Sequence, residues 1–451
     1  MRGLRHIFVV GFEKIFMWHV FRIVSKFGFA GLAAMLLRSF LKKEKIVPGS
    51  SETVRLLLLS KPFFSDDVHT CFDDAPHVEL YSLDVVRIKA LKAISSVFLP
   101  PSLHDYNYLS DDPKVESAKV RYRNFLGRVW DKMDRKMHFD AVLTGNFAYY
   151  SERELAVALE ERGLPFIVLQ KENMKTTGLV DFYRDIYRSR RGPFGGRKIF
   201  VYNEIEMQIE IEAGIVPPEK VAILGMPRLD RAHHYRERCR ENDGEKIIWD
   251  ILFLFFGPKV GLPQMPTKFG ITVQDRWQDL GWWNLSINTL HAVLDLAKKR
   301  PDIRILIKTK GDISKEKNLP NTSEFPANVE IVSGGDGFQY IRKSRVICGF
   351  TTTGLLEAIA AGKSVVVPSF DEASEELMKP YLFDFGGTVE YADSKDDLIE
   401  TLQQCLDDKG KSASCSDLNS EQKRVLWHWT GNADGLSGRR VREALLREIS
   451  A

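Results

Sequence analysis

From Cys348 to Pro368 the chain reads Cys-Gly-Phe-Thr-Thr-Thr-Gly-Leu-Leu-Glu-Ala-Ile-Ala-Ala-Gly-Lys-Ser-Val-Val-Val-Pro. This is the end of a strand, a hydroxyl-rich turn, a short helix, a glycine stop and a second strand. Two strands joined through a helix pair in parallel, and a parallel sheet needs helices on both faces. The turn places Thr351, Thr352, Thr353 and Gly354 at a helix N-terminus. Unpaired N–H groups and the positive end of the helix dipole suit a phosphate there. Glu357 lies one turn further on, where a carboxylate can accept from ribose hydroxyls. A threonine-capped helix in any α/β protein has the same pattern, so both readings stand.

The alternation extends along most of the chain. Val54–Leu59, Val78–Tyr81, Val97–Leu99, Phe139–Thr144, Pro165–Gln170, Lys198–Tyr202 and Val221–Leu224 are predicted strands. Val115–Met137 is amphipathic and predicted helical, and Ser151 opens another helix with Glu154 completing a capping box. A charge-dense segment from Leu229 to Glu245 is read as a link. The pattern then restarts with strands at Ile251–Phe256, Ile303–Ile307, Val329–Val332 and Val346–Gly349. Strands alternating with helices on this scale predict two Rossmann-like α/β domains. At 451 residues, two cores are also the natural expectation. The predicted domains are 49–240 and 241–420.

Residues 1–48 differ. From Ile7 to Leu41 the chain is rich in Phe, Val, Ile, Leu and Trp, with charges at Glu13, Lys14, Arg22 and Lys26. Its longest uncharged run, Phe27 to Leu37, has 11 residues, short of the ~20 that span a bilayer. On one helix, Lys14, His19, Arg22, Ser25 and Lys26 gather opposite Phe12, Phe16, Val20, Phe21, Ile23 and Phe27. Arg38, Lys42, Lys43 and Lys45 follow. That pattern suits an amphipathic helix lying in an anionic membrane surface, and equally a helix packed on protein.

Several chemistries lack their motif. There is no P-loop, no strand-linked G-x-G-x-x-G, no G-x-S-x-G and no cluster spaced to hold a metal. A net charge of +3 gives no case for nucleic acid. The five cysteines include no C-x-x-C pair, which fits a reducing compartment. Phosphate binding by helix termini and cations remains. Lys308 and Lys310, just after a strand, can meet a diphosphate, or can sit in a solvated turn. Gly334-Gly335-Asp336-Gly337 lets a backbone approach a base, or makes a tight turn. Arg184, Arg188, Arg190, Arg191, Arg197 and Lys198 form a basic loop that suits an anionic acceptor or a solvated charge run.

Together, Cys348–Pro368, the Lys308–Gly311 turn and Gly225-Met226-Pro227-Arg228-Leu229-Asp230 resemble GT-B glycosyltransferases of bacterial surface-polysaccharide assembly. These are relatives of capsule and lipopolysaccharide enzymes and, more distantly, of the CDP-glycerol glycerophosphotransferases. The resemblance runs from about Val54 to the end and includes Gly431-Asn432-Ala433-Asp434-Gly435. Where such relatives carry His-Pro, this chain has Lys308-Thr309-Lys310, so the donor nucleotide stays open.

The resemblance implies a nucleotide-sugar co-substrate in the C-terminal domain, an acceptor in the N-terminal one and no obligatory cofactor. Residues 421–451 are expected to cross back toward the first domain. Lys308, Lys310, Thr351, Thr352, Thr353, Gly354 and Glu357 would hold the donor, with no metal. Glu172, directly after a strand, is the first candidate for the base that deprotonates the acceptor, or a surface carboxylate paired with Lys171. Asp67 and His69 are further candidates, although a charged helix start also accounts for the aspartate. The expected protein is a peripheral glycosyltransferase on the cytoplasmic face of the inner membrane, with a glycan or lipid-linked acceptor. A polyol-phosphate transferase and a sugar-nucleotide epimerase are the alternatives.

Overall fold

The computed structural model describes residues 15–45, 53–61, 63–240, 246–263, 280–310, 325–408 and 417–450. Phe12, Lys14 and Gly311 lie outside them. The chain divides into two units. The first holds Met1–Met174, Tyr183–Arg228 and Leu436–Ala451, and the second Lys175–Phe182 and Leu229–Gly435. The long stretch of the second unit begins at Leu229.

The first unit is built on β1 (Lys42–Lys45), β2 (Val54–Ser60), β3 (Val78–Asp84), β4 (Ala141–Thr144), β5 (Phe166–Leu169), β6 (Lys198–Val201) and β7 (Val221–Ile223). Their order is β1-β3-β2-β4-β5-β6-β7, and every pairing except β1 with β3 is parallel. Leu56, Leu57, Leu58 and Leu59 are all buried, so β2 is covered on both faces, which accounts for its unbroken apolar run. The chain crosses from one side of β2 to the other between β3 and β4, making the β2/β4 boundary the topological switch point of this sheet.

The helices of this unit are α1 (residues 15–26), α2 (Ala30–Ser39), α3 (Phe64–Phe72), α4 (Val85–Ile88), α5 (Ala90–Phe98), α6 (Pro113–Asp134), α7 (Tyr150–Glu160) and α9 (Glu204–Glu212). α8 (Thr177–Ile186) is divided between the units, with its residues up to Phe182 assigned to the second. The last helix, α16 (Ser437–Ser450), packs on α3 and puts Val441, Ala444 and Leu445 into the core around Leu56, Leu58 and Phe64.

Three expectations need correction here. Val97–Leu99 is not a strand: Leu91, Ile94 and Phe98 share one stripe of α5, and Pro100 ends it. Lys42–Lys45, which carries three of the lysines noted after the helix, is an edge strand whose charged side chains discourage further pairing. Ser151 and Glu154 make no capping box. Both are buried inside α7, where Glu154 accepts from Tyr108 and Arg123. The N-terminal segment is two helices broken at Gly28 (φ 72°), not one. α2 packs on α6, and the hairpin buries Phe21, Val24, Ser25, Ala33, Ala34 and Leu37. The outer side mixes Ile15, Phe16, Ile23 and Phe27 with His19, Arg22 and Lys26, all exposed. The apolar and cationic sets therefore do not oppose each other as the helical projection predicts.

In the second unit β8 (Trp249–Leu254), β9 (Ile305–Thr309), β10 (Val329–Ser333), β11 (Ser344–Gly349), β12 (Ser364–Pro368) and β13 (Glu390–Ala392) pair in parallel in the order β10-β9-β8-β11-β12-β13. Strand order reverses between β8 and β11. Around the sheet lie α10 (Asp230–Arg240), α11 (Trp283–Lys299), α12 (Phe338–Arg342), α13 (Thr353–Ala360), α14 (Lys395–Asp407) and α15 (Ser420–Thr430). The segment read as a link is thus mostly α10. Both units are Rossmann-like α/β folds. Among the described residues no helix is long and apolar enough to cross a membrane.

The Gly431–Gly435 turn is tied to α10. Asn432 donates to Asp230 at 2.6 Å, and Gly435 (φ 73°) leaves no room for a Cβ, which would stand 2.8 Å from His233. His233 is fully buried. Its Nδ1 accepts from Arg236 at 3.3 Å and its Nε2 faces the Asn432 carbonyl at 3.3 Å, which selects the neutral Nε2–H tautomer. Burial and then the Arg236 charge push its pKa down to about 4. The unfolded chain therefore takes up this proton first as pH falls. Stability present above about pH 6.5 should decline toward pH 4, by roughly 3 kcal/mol in total. Urea unfolding followed by fluorescence at pH 7 and pH 5 should show this loss, and His233→Gln should flatten it.

Candidate functional site

The second unit gathers most of the predicted donor residues at the carboxyl edge of its sheet. Lys308, Leu254 and Gly349 are register partners across β9, β8 and β11. Lys308 thus stands two strand spacings, about 10 Å, from the turn that follows β11. In that turn Thr351 adopts φ 42°, a region costly for a residue other than glycine. Its methyl group occupies the space a side chain on Gly261 would need, with Cγ2 2.3 Å from a Cβ built there. Thr352 is the N-cap of α13 and accepts from the Gly354 N–H. Gly354 lies against Leu254, 2.8 Å from a built Cβ, so the helix start sits directly over the end of β8. The switch point and the hydroxyl-lined helix terminus therefore coincide.

Glu357, one turn into α13, is buried and accepts from Arg231 at 3.3 Å. Arg231 also forms a two-pronged pair with Asp336 at 2.9 and 3.0 Å and lies over the Phe338 ring. Asp336 in turn accepts from the Phe338 N–H. Burial draws the Lys308 pKa down, against the opposing charge of Asp336, and Lys310 is drawn down by burial as well. Lys308, Asp336, Arg231 and Glu357 thus form one connected set of alternating charge. The Gly334–Gly337 turn supplies a carboxylate to this set, a role not expected of it. Arg231 and Asp336 were missed as site residues. Their only sequence signal was a charge-dense stretch and an acid between glycines.

On the far side of Thr351 lies a cavity of about 630 Å³. Phe350, Thr351, Ser369, Phe383, Tyr391 and Asp393 are among its walls. It is of the size that takes a small organic ligand. Trp282 belongs to the packing behind it: its ring is buried, meets Phe350 edge-on at 4.9 Å and donates to the Val260 carbonyl.

In the first unit the three predicted catalytic residues occupy different settings. Glu172 is exposed just beyond β5. Burial raises the hydroxyl pKa of Tyr106, Tyr149 and Tyr183, and the Glu172 charge raises each further, so its carboxylate faces a cluster of tyrosines. Asp67 is buried, pairs with Arg228 at 2.8 Å, and accepts from the Tyr202 hydroxyl at 2.6 Å and the Arg228 N–H at 3.0 Å. That engagement suits an anchor for the Gly225–Arg228 segment and corrects the expectation of a base. His69 lies between Asp73 and Glu44 at 2.9 and 2.8 Å. Burial lowers its pKa but the two carboxylates outweigh that and raise it, and both ring nitrogens are engaged at the β1 edge. This corrects its candidacy as a base.

The basic loop is also largely committed. Arg184 pairs with Glu212, Arg197 with Glu160 and Lys198 with Glu448, while Arg191 is buried against Tyr187.

No family model matches the chain, and no curated protein matches it. It is similar to solved structures at low identity. The UDP-GlcNAc 2-epimerase from Neisseria meningitidis bound to UDP-GlcNAc is 14% identical, with a TM-score of 0.48 over 88% of this chain and 100% of that one. The Methanocaldococcus jannaschii UDP-GlcNAc 2-epimerase in complex with UDP-GlcNAc and UDP is 13% identical, with a TM-score of 0.41 over 88% and 99%. The glycotransferase of kitacinnamycin is 13% identical, with a TM-score of 0.45 over 88% and 99%. Likenesses this remote leave the function to be argued from the chain's own residues.

Removing Arg228 strands the Asp67 charge in the interior. Arg228→Met should cost roughly 3–5 kcal/mol in denaturant unfolding, and Asp67→Asn in the same chain should restore much of it.

Proposed function

We propose that the chain is a nucleotide-sugar-dependent glycosyltransferase that extends a lipid-linked or surface-polysaccharide acceptor of the capsule or lipopolysaccharide type. The observation that supports this most is the second unit's switch point, where a strained threonine, a threonine-capped helix start and a buried glutamate meet. A sugar nucleotide offers a matching partner to each. Its diphosphate accepts from the Thr351–Gly354 turn and from Lys308 and Lys310. Its ribose hydroxyls donate to Glu357, whose position Arg231 fixes. Its sugar is of a size for the cavity beside Thr351.

In transfer, the bond from the anomeric carbon to the diphosphate oxygen breaks and a bond to the acceptor oxygen forms. The turn and the lysines stabilise charge on the departing phosphate. In an inverting reaction the acceptor proton passes to a base, and Glu172, exposed at the edge of its sheet, is the residue we assign.

A thermal-shift screen of UDP-, GDP-, CMP- and CDP-linked donors should give stabilisation with one nucleotide class. Glu357→Ala should then weaken donor binding about tenfold or more, whereas Glu172→Ala should keep binding and lower kcat at least about a hundredfold. Equal loss of binding in both variants would remove these assignments. Conversion of the free sugar nucleotide without acceptor would favour an epimerase, and release of CMP with phosphate left on the product a polyol-phosphate transferase.

The proposed place of action is the cytoplasmic face of the inner membrane. On the N-terminal hairpin Ile15, Phe16, Ile23, Phe27, Phe29 and Met35 are all at least half exposed, beside exposed Arg22 and Lys26. No acidic residue occurs between Ile15 and Lys43. Apolar side chains flanked by cations suit the interface of an anionic bilayer. The 451-residue chain should float with phosphatidylglycerol vesicles, and Phe16→Ser/Ile23→Ser/Phe27→Ser should cut the floating fraction several-fold; unchanged flotation would reject the anchor.

A further inference from the structure

A second cavity, of about 180 Å³, lies in the first unit and is lined by Lys61, Lys89, Lys92, Lys171, Tyr149 and Glu152 among others. These side chains come from four places in the sequence. Lys61 follows β2, Lys89 and Lys92 flank the start of α5 beyond β3, Tyr149 and Glu152 follow β4, and Lys171 follows β5. The cavity thus lies at the carboxyl edge of the parallel strands, around the β2/β4 switch point, where sheets of this kind take their ligands.

The charge balance is unusual. Four ammonium groups share the lining with one carboxylate. Glu152 is already engaged: Lys61 donates to it at 2.6 Å, and the Thr144 hydroxyl donates to its other oxygen at 2.6 Å. Lys61 also lies 3.8 Å over the Tyr149 ring and donates to Thr144 at 2.9 Å, so this buried cation is held in place. Asp105 stands 3.7 Å from Lys92, and Glu172 opposes the burial that draws Lys171 down. Lys89 has φ 48°, a conformation that a lysine keeps only where its surroundings enforce it. Glu152, Asp105 and Glu172 offset three of the four lysines, so the opening keeps a net positive charge that an anion offsets.

We infer that this cavity binds a phosphoryl group carrying two negative charges, in the unit opposite in role to the donor site. Lysines hold phosphate as point charges and can approach it from several directions. The volume is below the roughly 300–1,000 Å³ of sites that take drug-sized ligands, which suits a phosphate with a short substituent. Its identification as the acceptor's phosphate rests on the transferase reading, but the binding itself does not.

The test is calorimetric titration of full-length protein with inorganic phosphate, with UDP titrated in parallel. Lys89 and Lys92 are exposed, so Lys89→Ala/Lys92→Ala should fold normally, as an unchanged melting temperature would show. Phosphate should bind the wild type and bind this variant about tenfold more weakly, with UDP affinity unchanged. No binding to the wild type, or a Kd within threefold in the variant, overturns the inference. Failure of UDP to bind either protein would remove the donor reading and leave this one intact. Competition by glycerol 3-phosphate and by dodecyl phosphate then separates a soluble acceptor from a lipid-linked one.

Discussion

A parallel strand that carries apolar side chains on both faces has to be covered twice, by helices that arrive from the sequence between the strands. That requirement organises both units. It sets the run of leucines in β2, sends each chain crossing over the sheet and leaves every strand-to-helix turn at the same edge. The crossovers change side once in each sheet, and neighbouring turns splay apart there. Thr351 and Gly354 stand at one such opening, and Lys61 and Tyr149 at the other. Neither opening depends on a particular ligand; the residues that line it decide what can bind.

The two openings use different means to attract negative charge. In the second unit the positive potential comes from a helix terminus and hydroxyls, with the Asp336 charge opposing Lys308 and pairing with Arg231. Its polar groups are oriented and largely neutralised among themselves, which favours a ligand with its own donors and acceptors. In the first unit the potential comes from whole lysine charges that outnumber the carboxylates Glu152, Asp105 and Glu172 beside them. That arrangement favours a compact anion and is more exposed to screening by salt.

Much of the fold is legible because period and burial agree. The β11–α13–β12 unit, the leucine run of β2 and the amphipathic α6 follow directly from their residue patterns. The failures have physical causes. Val97 and Phe98 have strand propensity, but the stripe begun at Leu91 and Ile94 keeps them helical. Four charged residues make β1 only because β3 presents an edge to pair with. The site is legible where it is local, as in Thr351 to Glu357. It is illegible where it joins distant segments: Arg231 with Asp336, Asp67 with Arg228, and Lys61 with Lys171 are brought together by topology alone.

The packing of α16 against α3 has a consequence for how this protein is made. Val441, Ala444 and Leu445 complete a core whose other members lie hundreds of residues upstream. During synthesis the first sheet emerges early, yet the apolar surface that α16 covers stays open until Ser437–Ser450 has left the ribosome. The second unit, from Leu229 to Gly435, is complete in sequence by then. It can therefore finish folding before the first unit does, so the order of maturation is the reverse of the order of appearance.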